Sequence, residues 1–376
     1  AAMAFMLEAG FVGIMIFGWN RVTPRIHLFA TAMVTFGASL SAFWIMAANS
    51  WMQTPAGGHL EHGTFVIDSY FEGIFNPNMP WGVLHMWTAC LETSLFVLGG
   101  ISAWYLLRGR QVEFFLKSFK LAILLSLFVT PVQIWLGDGS ARSALKYQPT
   151  KAAAMEGYWE TNPPGEGAAW SVLAWPDQDR QRNDWAVQIP NLLSLLATRS
   201  LHGEVQGLRA FPREDQPPAL PLLFYCFRVM VAIGFWFLGV AVWSLVLWRK
   251  GALHTTGIER HRWFLKAWAT AVPLGFIAVE AGWIVREVGR QPWIVYGVMR
   301  TSETASALPP ADVAFTLLGY GFVYAVLGIL FLAFAWRLLR QGPDLNLPVP
   351  DRWAAPVQAM RGPARPEEPF RLEERS

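Results

Sequence analysis

Only two cysteines, Cys90 and Cys226, occur in the chain, and both fall inside apolar runs. Two are too few for a disulfide framework or a thiolate metal cluster, so both read as packing residues. Charge is scarce as well, with 15% of residues charged, against roughly 25% in an ordinary soluble domain. No phosphate-cradling glycine loop, nucleophile elbow or zinc motif is present, which leaves P-loop, serine-hydrolase and zinc-hydrolase chemistry without a carrier. The opening residues "AAMAFMLEAGFVGIMIFGWN" lack a basic n-region and a cleavage site, so they do not read as a signal peptide. What the chain has in abundance is apolar surface. It is 53% hydrophobic with 20 Trp and 26 Phe, and its mean hydropathy is +0.30. That composition describes a polytopic membrane protein. The net charge of +3 does not point to nucleic acid, because the basic residues sit in short blocks beside apolar runs and act as topology signals.

Stretches near the ~20 apolar residues needed to cross a bilayer recur at about 1–18, 28–48, 83–107, 118–137, 221–248, 264–286 and 312–336. The expected fold class is therefore all-α, a transmembrane helix bundle of about seven spans. Basic connections (Arg21 and Arg25; Arg108, Arg110, Lys117 and Lys120; Arg249 to Lys266; Arg337 and Arg340) alternate with connections poor in Lys and Arg. The alternation places residue 1 outside and the C-terminus in the cytoplasm. Four segments follow: spans 1–4 over 1–137, a periplasmic loop over 138–220, spans 5–7 over 221–340, and a Pro-rich, charged tail over 341–376 that reads as disordered. A loop as long as 138–220 usually has a task. Within it, "WAVQIPNLLSLLATRS" is apolar enough to lie against the membrane surface.

Ionisable side chains inside apolar spans are costly and mark ligands, relays or ion pairs. Of seven histidines only His85 lies within a span, and a lone His there is more often a satisfied core residue than a ligand. Arg228 enters the fifth span about 10 Å beyond Pro221, and a buried guanidinium needs an anion. Met230 follows two residues later; alone it reads as a gap-filling core Met. Together His85 and Met230 could supply the axial pair of a low-spin haem, with Arg228 matching a propionate. Glu280 lies in the outer half of its span, at a depth similar to His85, Arg228 and Met230. It reads either as the weak axial ligand of a second, high-spin iron or as an ion-pair partner of Arg286 or Arg290. Glu8 is read as a proton-relay or buried-partner residue. Glu92, seven residues after His85 on nearly the same helix face, either serves function or only hydrogen-bonds inside the bundle. In the loop, Lys151 and Glu156 flank aromatics in "TKAAAMEGYW". An acid so placed could accept a quinol proton, although exposed Lys and Glu are more often solvated surface.

Motifs in order along the chain then bring in a family. The pieces are "GWNR" at 18–21, "AANSWMQTP" at 47–55, "GISAWYLLRGR" at 100–110, "TKAAAMEGYWET" at 150–161, "QIP" at 188–190, "FRVM" at 227–230 and "EAGWIVREVGRQPW" at 280–293. With these the chain resembles subunit I of the cytochrome bd quinol oxidases, in its cyanide-insensitive-like branch with a short outer loop.

The resemblance implies that His85 and Met230 ligate a low-spin haem b beside Arg228, and that Glu280 ligates a high-spin haem b. It implies that Lys151 and Glu156 bind quinol and that Glu8 helps deliver protons. It further implies a haem d or third haem b, a subunit II with or without a small accessory subunit, ubiquinol or menaquinol as substrate, a lipid environment, and the bacterial cytoplasmic membrane. Departures are equally specific. The family's N-terminal His ligand for the third haem and the acid eight residues before Glu8 have no counterpart here, so the sequence is expected to lack its N-terminal region. Phe276 stands where the family often has Trp. The rival reading is a haem-free transporter or scaffold with Glu8, Glu92, Arg228 and Glu280 lining an ion path.

Overall fold

The computed structural model describes residues 1–19, 21–304 and 306–345; the tail expected over 341–376 lies almost wholly outside them. The described residues form eleven α-helices and three two-stranded hairpins. Six helical segments are long and apolar enough to cross a membrane. They are α2 (Pro24–Gln53), α4 (Met79–Leu107), α5 (Val112–Tyr147), α8 (Leu220–Arg249), the pair α9 (Arg262–Thr270) and α10 (Leu274–Val288), and α11 (Pro310–Gln341). The first expected span is the apolar helix α1 (Ala2–Phe17), whose 16 residues reach only about 24 Å. Three boundaries differ from the hydropathy reading for physical reasons. Helix α5 runs ten residues past 137, because Asp138 pairs along the helix with Arg142 at 3.1 Å and across to Arg199, so charge there does not end the helix. The span read as 264–286 breaks at 271–273, where Pro273 cannot continue the ladder of the preceding turn. And α2 continues to Gln53, placing the polar end of "AANSWMQTP" on a helix.

By contacts the chain divides into two compact units, 1–41 with 306–376, and 42–305. In the first unit α1 packs on α2 through Gly37, where an added Cβ would lie 3.0 Å from Ala4 O and Glu8 N, and through an edge-on Phe11–Phe29 pair at 5.7 Å. No described residue of α11 is buried, and its exposed Phe, Leu and Tyr side chains suit a lipid-facing helix.

In the second unit one end of the bundle is aromatic. Phe96 of α4 stacks on Phe237 of α8 at 3.8 Å and on Trp268 of α9 at 4.7 Å, and Tyr105 stacks on Phe115 of α5 at 3.9 Å. Trp268 is fully buried and donates Nε1–H to Ser244 Oγ at 3.1 Å, so its one polar atom is satisfied. Gly99 makes room for it: a Cβ there would lie 2.3 Å from the indole. The opposite end gathers the C-terminal ends of α2, α5 and α10 and the N-terminal ends of α4 and α8. It also holds the hairpin β1 (Gly58–Glu61) and β2 (Thr64–Ile67) and the short helix α3 (Tyr70–Ile74). Chain 149–198 completes it with α6 (Pro149–Glu156), the antiparallel hairpin β3 (Trp170–Asp177) and β4 (Arg182–Ile189), and α7 (Leu192–Thr198); β5 (Trp293–Val295) and β6 (Met299–Arg300) follow α10.

Candidate functional site

The second end is held together by polar side chains rather than rings. Arg286, near the end of α10, donates to Asn49 Oδ1, to Ser50 Oγ at 2.9 Å and to Asn78 Oδ1 at 2.9 Å. It thereby ties α10 to the last turns of α2 and to the residue that precedes α4. Asn49 donates in turn to Glu287 Oε1 at 2.7 Å, and Glu287 pairs with Arg290 at 2.6 Å. Asn78 donates to Ser143 Oγ of α5 at 3.2 Å. A largely buried cation is tolerable only when its donors are used, and here two segments far apart in sequence from Arg286, at 49–50 and at 78, supply the acceptors.

Helix α6 lies against this network. Its length is set by Pro149 at the start, where a missing N–H costs nothing, and by Gly157, whose φ of 57° suits glycine at a left-handed C-terminal position. Ala152, Ala153, Ala154 and Met155 are buried, and Lys151 is buried with them rather than solvated. Its Nζ donates to Gln53 Oε1 at 3.2 Å and to Arg286 O at 3.1 Å. Its stem crosses α10 at Gly289, where a Cβ would lie 2.9 Å from Lys151 Cγ and Cε. Burial, with the Arg286 and Arg290 cations adding to it and Glu287 opposing, holds the Lys151 amine well below its ordinary pKa.

Glu156, five residues on, takes the other side of α6. Its Oε2 accepts from Arg228 NH2 at 2.6 Å, with both side chains largely buried. Arg228 Nε donates to Ser171 O at 2.9 Å, and its guanidinium lies 4.9, 4.5 and 5.2 Å from the rings of Trp170, Phe224 and Phe227. The anion that a buried Arg228 requires is therefore a loop carboxylate from 72 residues away. NH1 of Arg228 is buried without a partner among the described residues.

Each candidate iron ligand faces a glycine or open surface. His85 of α4 meets Gly137 of α5, where a Cβ would lie 3.4 Å from its Cε1. Its Nδ1 is buried and unpartnered, and so are Gln133 Oε1 and Ser140 Oγ on the same α5 face and Trp87 Nε1 on α4. Met230 of α8 faces Gly282 of α10, where a Cβ would lie 2.9 Å from its sulfur. Glu280 is exposed on α10, and among the described residues it has no ion pair. Arg286 and Arg290 are committed elsewhere, so the expectation that one of them pairs with Glu280 is not met. Orphaned polar atoms around His85, small residues opposite both His85 and Met230, and a His/Met/Glu donor set fit haem groups. Among the described residues no cluster of three His, Cys, Asp or Glu could hold a bare metal ion.

Glu8 belongs to the other unit and faces α2 at Gly37. Glu92 is buried, with Oε1 unpartnered. Phe276 is exposed. Reading by residue type missed Gln53, Asn49, Asn78 and Trp170. Asn49 and Gln53 sit in the quoted "AANSWMQTP" and Asn78 lies outside every quoted motif, but as neutral residues all three raise no energetic alarm, unlike a charge.

A family profile described as "Cytochrome bd terminal oxidase subunit I" matches residues 1–343. The chain is 34% identical to the cytochrome bd-II ubiquinol oxidase subunit 1 of Escherichia coli, over 92% of this chain and 78% of that protein. It is 33% identical to the cytochrome bd ubiquinol oxidase subunit 1 of Bacillus subtilis, over 92% and 74%. Its fold matches the bd oxidase structure from Geobacillus thermodenitrificans with a TM-score of 0.79 and 34% identity, covering 91% of this chain and 77% of that one.

Proposed function

For a chain that belongs to the cytochrome bd terminal oxidase subunit I family, and so is a multi-pass inner-membrane subunit of a respiratory quinol oxidase, we propose the following division of labour. The polar end faces the periplasm and oxidises quinol on α6, with Lys151 and Glu156 as the binding residues. His85 and Met230 would hold a low-spin haem b and Glu280 a high-spin haem b, and a third haem of d or b type would supply the oxygen chemistry. A subunit II, with or without a small accessory subunit, completes the complex.

One observation carries the reading. The Glu156–Arg228 pair at 2.6 Å puts the acid of the loop in direct contact with a side chain two residues before Met230. Oxidising a quinol requires its hydroxyl protons to leave, and a positioned carboxylate is the acceptor at hand. Arg228 and the Ser171 carbonyl fix where that carboxylate stands, while partial exposure of Glu156 leaves it a route to periplasmic water. Lys151, held by Gln53 and the Arg286 carbonyl, sets the other edge of the quinol contact. Arg228 NH1 is the donor that remains for a haem propionate. Bound haem supplies the electron transfer and oxygen chemistry, and the protein supplies ligands, orientation and electrostatics. Glu8 serves proton delivery from its own unit.

The test is spectroscopic and kinetic. The purified complex should show haem b bands in its reduced-minus-oxidised spectrum. Glu156→Gln should keep those bands and lose quinol oxidation; retention of wild-type turnover would remove Glu156 from the reaction.

A further inference from the structure

The β3–β4 hairpin is fastened to α8 at three successive heights. At its turn Gln178 donates to Pro217 O at 2.9 Å and accepts from Leu220 N at 3.1 Å, where α8 begins. Farther along, Tyr225 Oη donates to Ala174 O at 2.7 Å, and deepest of all Arg228 Nε donates to Ser171 O at 2.9 Å. From Leu220 to Arg228 the helix climbs about 12 Å, while Gln178 to Ser171 spans roughly 23 Å of strand. The hairpin therefore slopes beside α8, with its turn at the helix start and its base farther in.

The depth of that base follows from helix length. Helix α8 has 30 residues, about 45 Å, against a hydrocarbon core of about 30 Å. Its far end carries Arg249 and Lys250, so about twenty residues counted back from Trp248 bring the hydrocarbon boundary close to Arg228. Side-chain chemistry along the hairpin follows the same gradient. The turn holds Asp179 together with Asp177, Arg180, Arg182 and Asp184, and these last four pair among themselves. Toward the base Leu173 stands opposite Val187, and Trp175, Trp185 and Ile189 extend the same apolar surface, each between 43% and 56% exposed. On α8 itself, Leu222 and Val229 are also exposed.

We propose that this hairpin face is seated in the headgroup–acyl boundary of the membrane leaflet at the polar end, with lipid as its occupant. Tryptophans concentrate at that boundary, where an apolar ring and a polar N–H are both served. The charged turn stays in water and the apolar base reaches the acyl chains. Lipid then presses the Ser171 carbonyl against Arg228 from outside. The contact requires only that α8 crosses the membrane, and is independent of the haem-ligand assignments.

Nitroxide labels report this directly. The complete oxidase complex in lipid nanodiscs, with Cys90 and Cys226 replaced by Ser, is labelled at Val187→Cys or at Asp179→Cys, with the haem spectrum as the check on assembly. Power saturation is measured with oxygen and with a water-soluble nickel chelate. The expected result is a reversal of the oxygen-to-nickel ratio, oxygen-dominated at 187 and nickel-dominated at 179. Nickel accessibility at 187 equal to that at 179 would place the hairpin in water and overturn the proposal. Shielding of 187 from both reagents would mean that protein covers the face, and would overturn it equally. Where Val187→Cys does not assemble, Leu173→Cys takes its place with the same expectations. Failure of the lipid contact leaves the haem bands intact, so it is distinguishable from failure of the oxidase reading.

Discussion

The two ends of the 42–305 unit are built from opposite materials. At one, Phe96, Phe237, Trp268, Phe119 and Phe264 interlock as stacked and edge-on rings. At the other, Arg228 and Lys151 are buried, and Arg286 and Glu287 half-buried, among amides, hydroxyls and carbonyls. Ring packing is tolerant in chemistry and demanding in volume, since the cost of a change follows the cavity it leaves. A buried polar network is the reverse, because removing one partner strands the charge of another. On the proposed function, helix ends that receive quinol and pass protons need groups able to exchange partners, and only the second kind of construction supplies them.

Four substitutions bear on that contrast, from the largest effect to the smallest. Replacing His85 by Ala should abolish the low-spin haem b signal while the remaining haem bands persist, seen in reduced-minus-oxidised spectra. Arg228→Met leaves Glu156 as an unpaired buried carboxylate and should cost about 3–5 kcal/mol, together with a raised KM for quinol; thermal unfolding and steady-state kinetics report the two. Trp268→Ala should cost a similar ~3–5 kcal/mol through its cavity but leave the quinol KM unchanged. A KM shift there as large as that of Arg228→Met would erase the functional difference between the ends.

The fourth effect is smaller and depends on pH. Lys151 has a folded-state pKa well below its unfolded value, so between those two values the unfolded chain binds the extra proton and stability rises with pH. The favourable contribution is complete above the unfolded pKa of about 10.4 and is lost as pH falls through the folded one. Lys151→Met removes this slope. Its thermal midpoint relative to wild type should therefore be highest near neutrality and fall as pH is raised toward 10. A difference independent of pH would mean that Lys151 titrates normally.

Much of this was legible before any coordinates. Apolar runs located every long helix, since hydrocarbon admits only hydrogen-bonded helices of a certain length. Arg228 and Glu280 stood out because a charge in such a run is expensive. Helix ends were read less well: α5 outlasted its apolar stretch because Asp138 is paired with Arg142 and Arg199, and the break before α10 hung on Pro273. Lys151 and Glu156 had the look of solvated surface, and nothing local in "TKAAAMEGYW" reveals that α6 folds inward.

The sequence by itself determined the class of the protein, its membrane-crossing segments and the residue types available for haem and quinol, because hydrophobic length and the cost of buried charge are local properties. Tertiary structure alone decided the partners. Arg228 could have answered Glu92 or Glu280, and it is bound to Glu156; Arg286 could have neutralised Glu280, and it is spent on Asn49, Ser50 and Asn78. A hydrogen bond acts over about 3 Å, and which groups come that close is fixed only when distant helices pack.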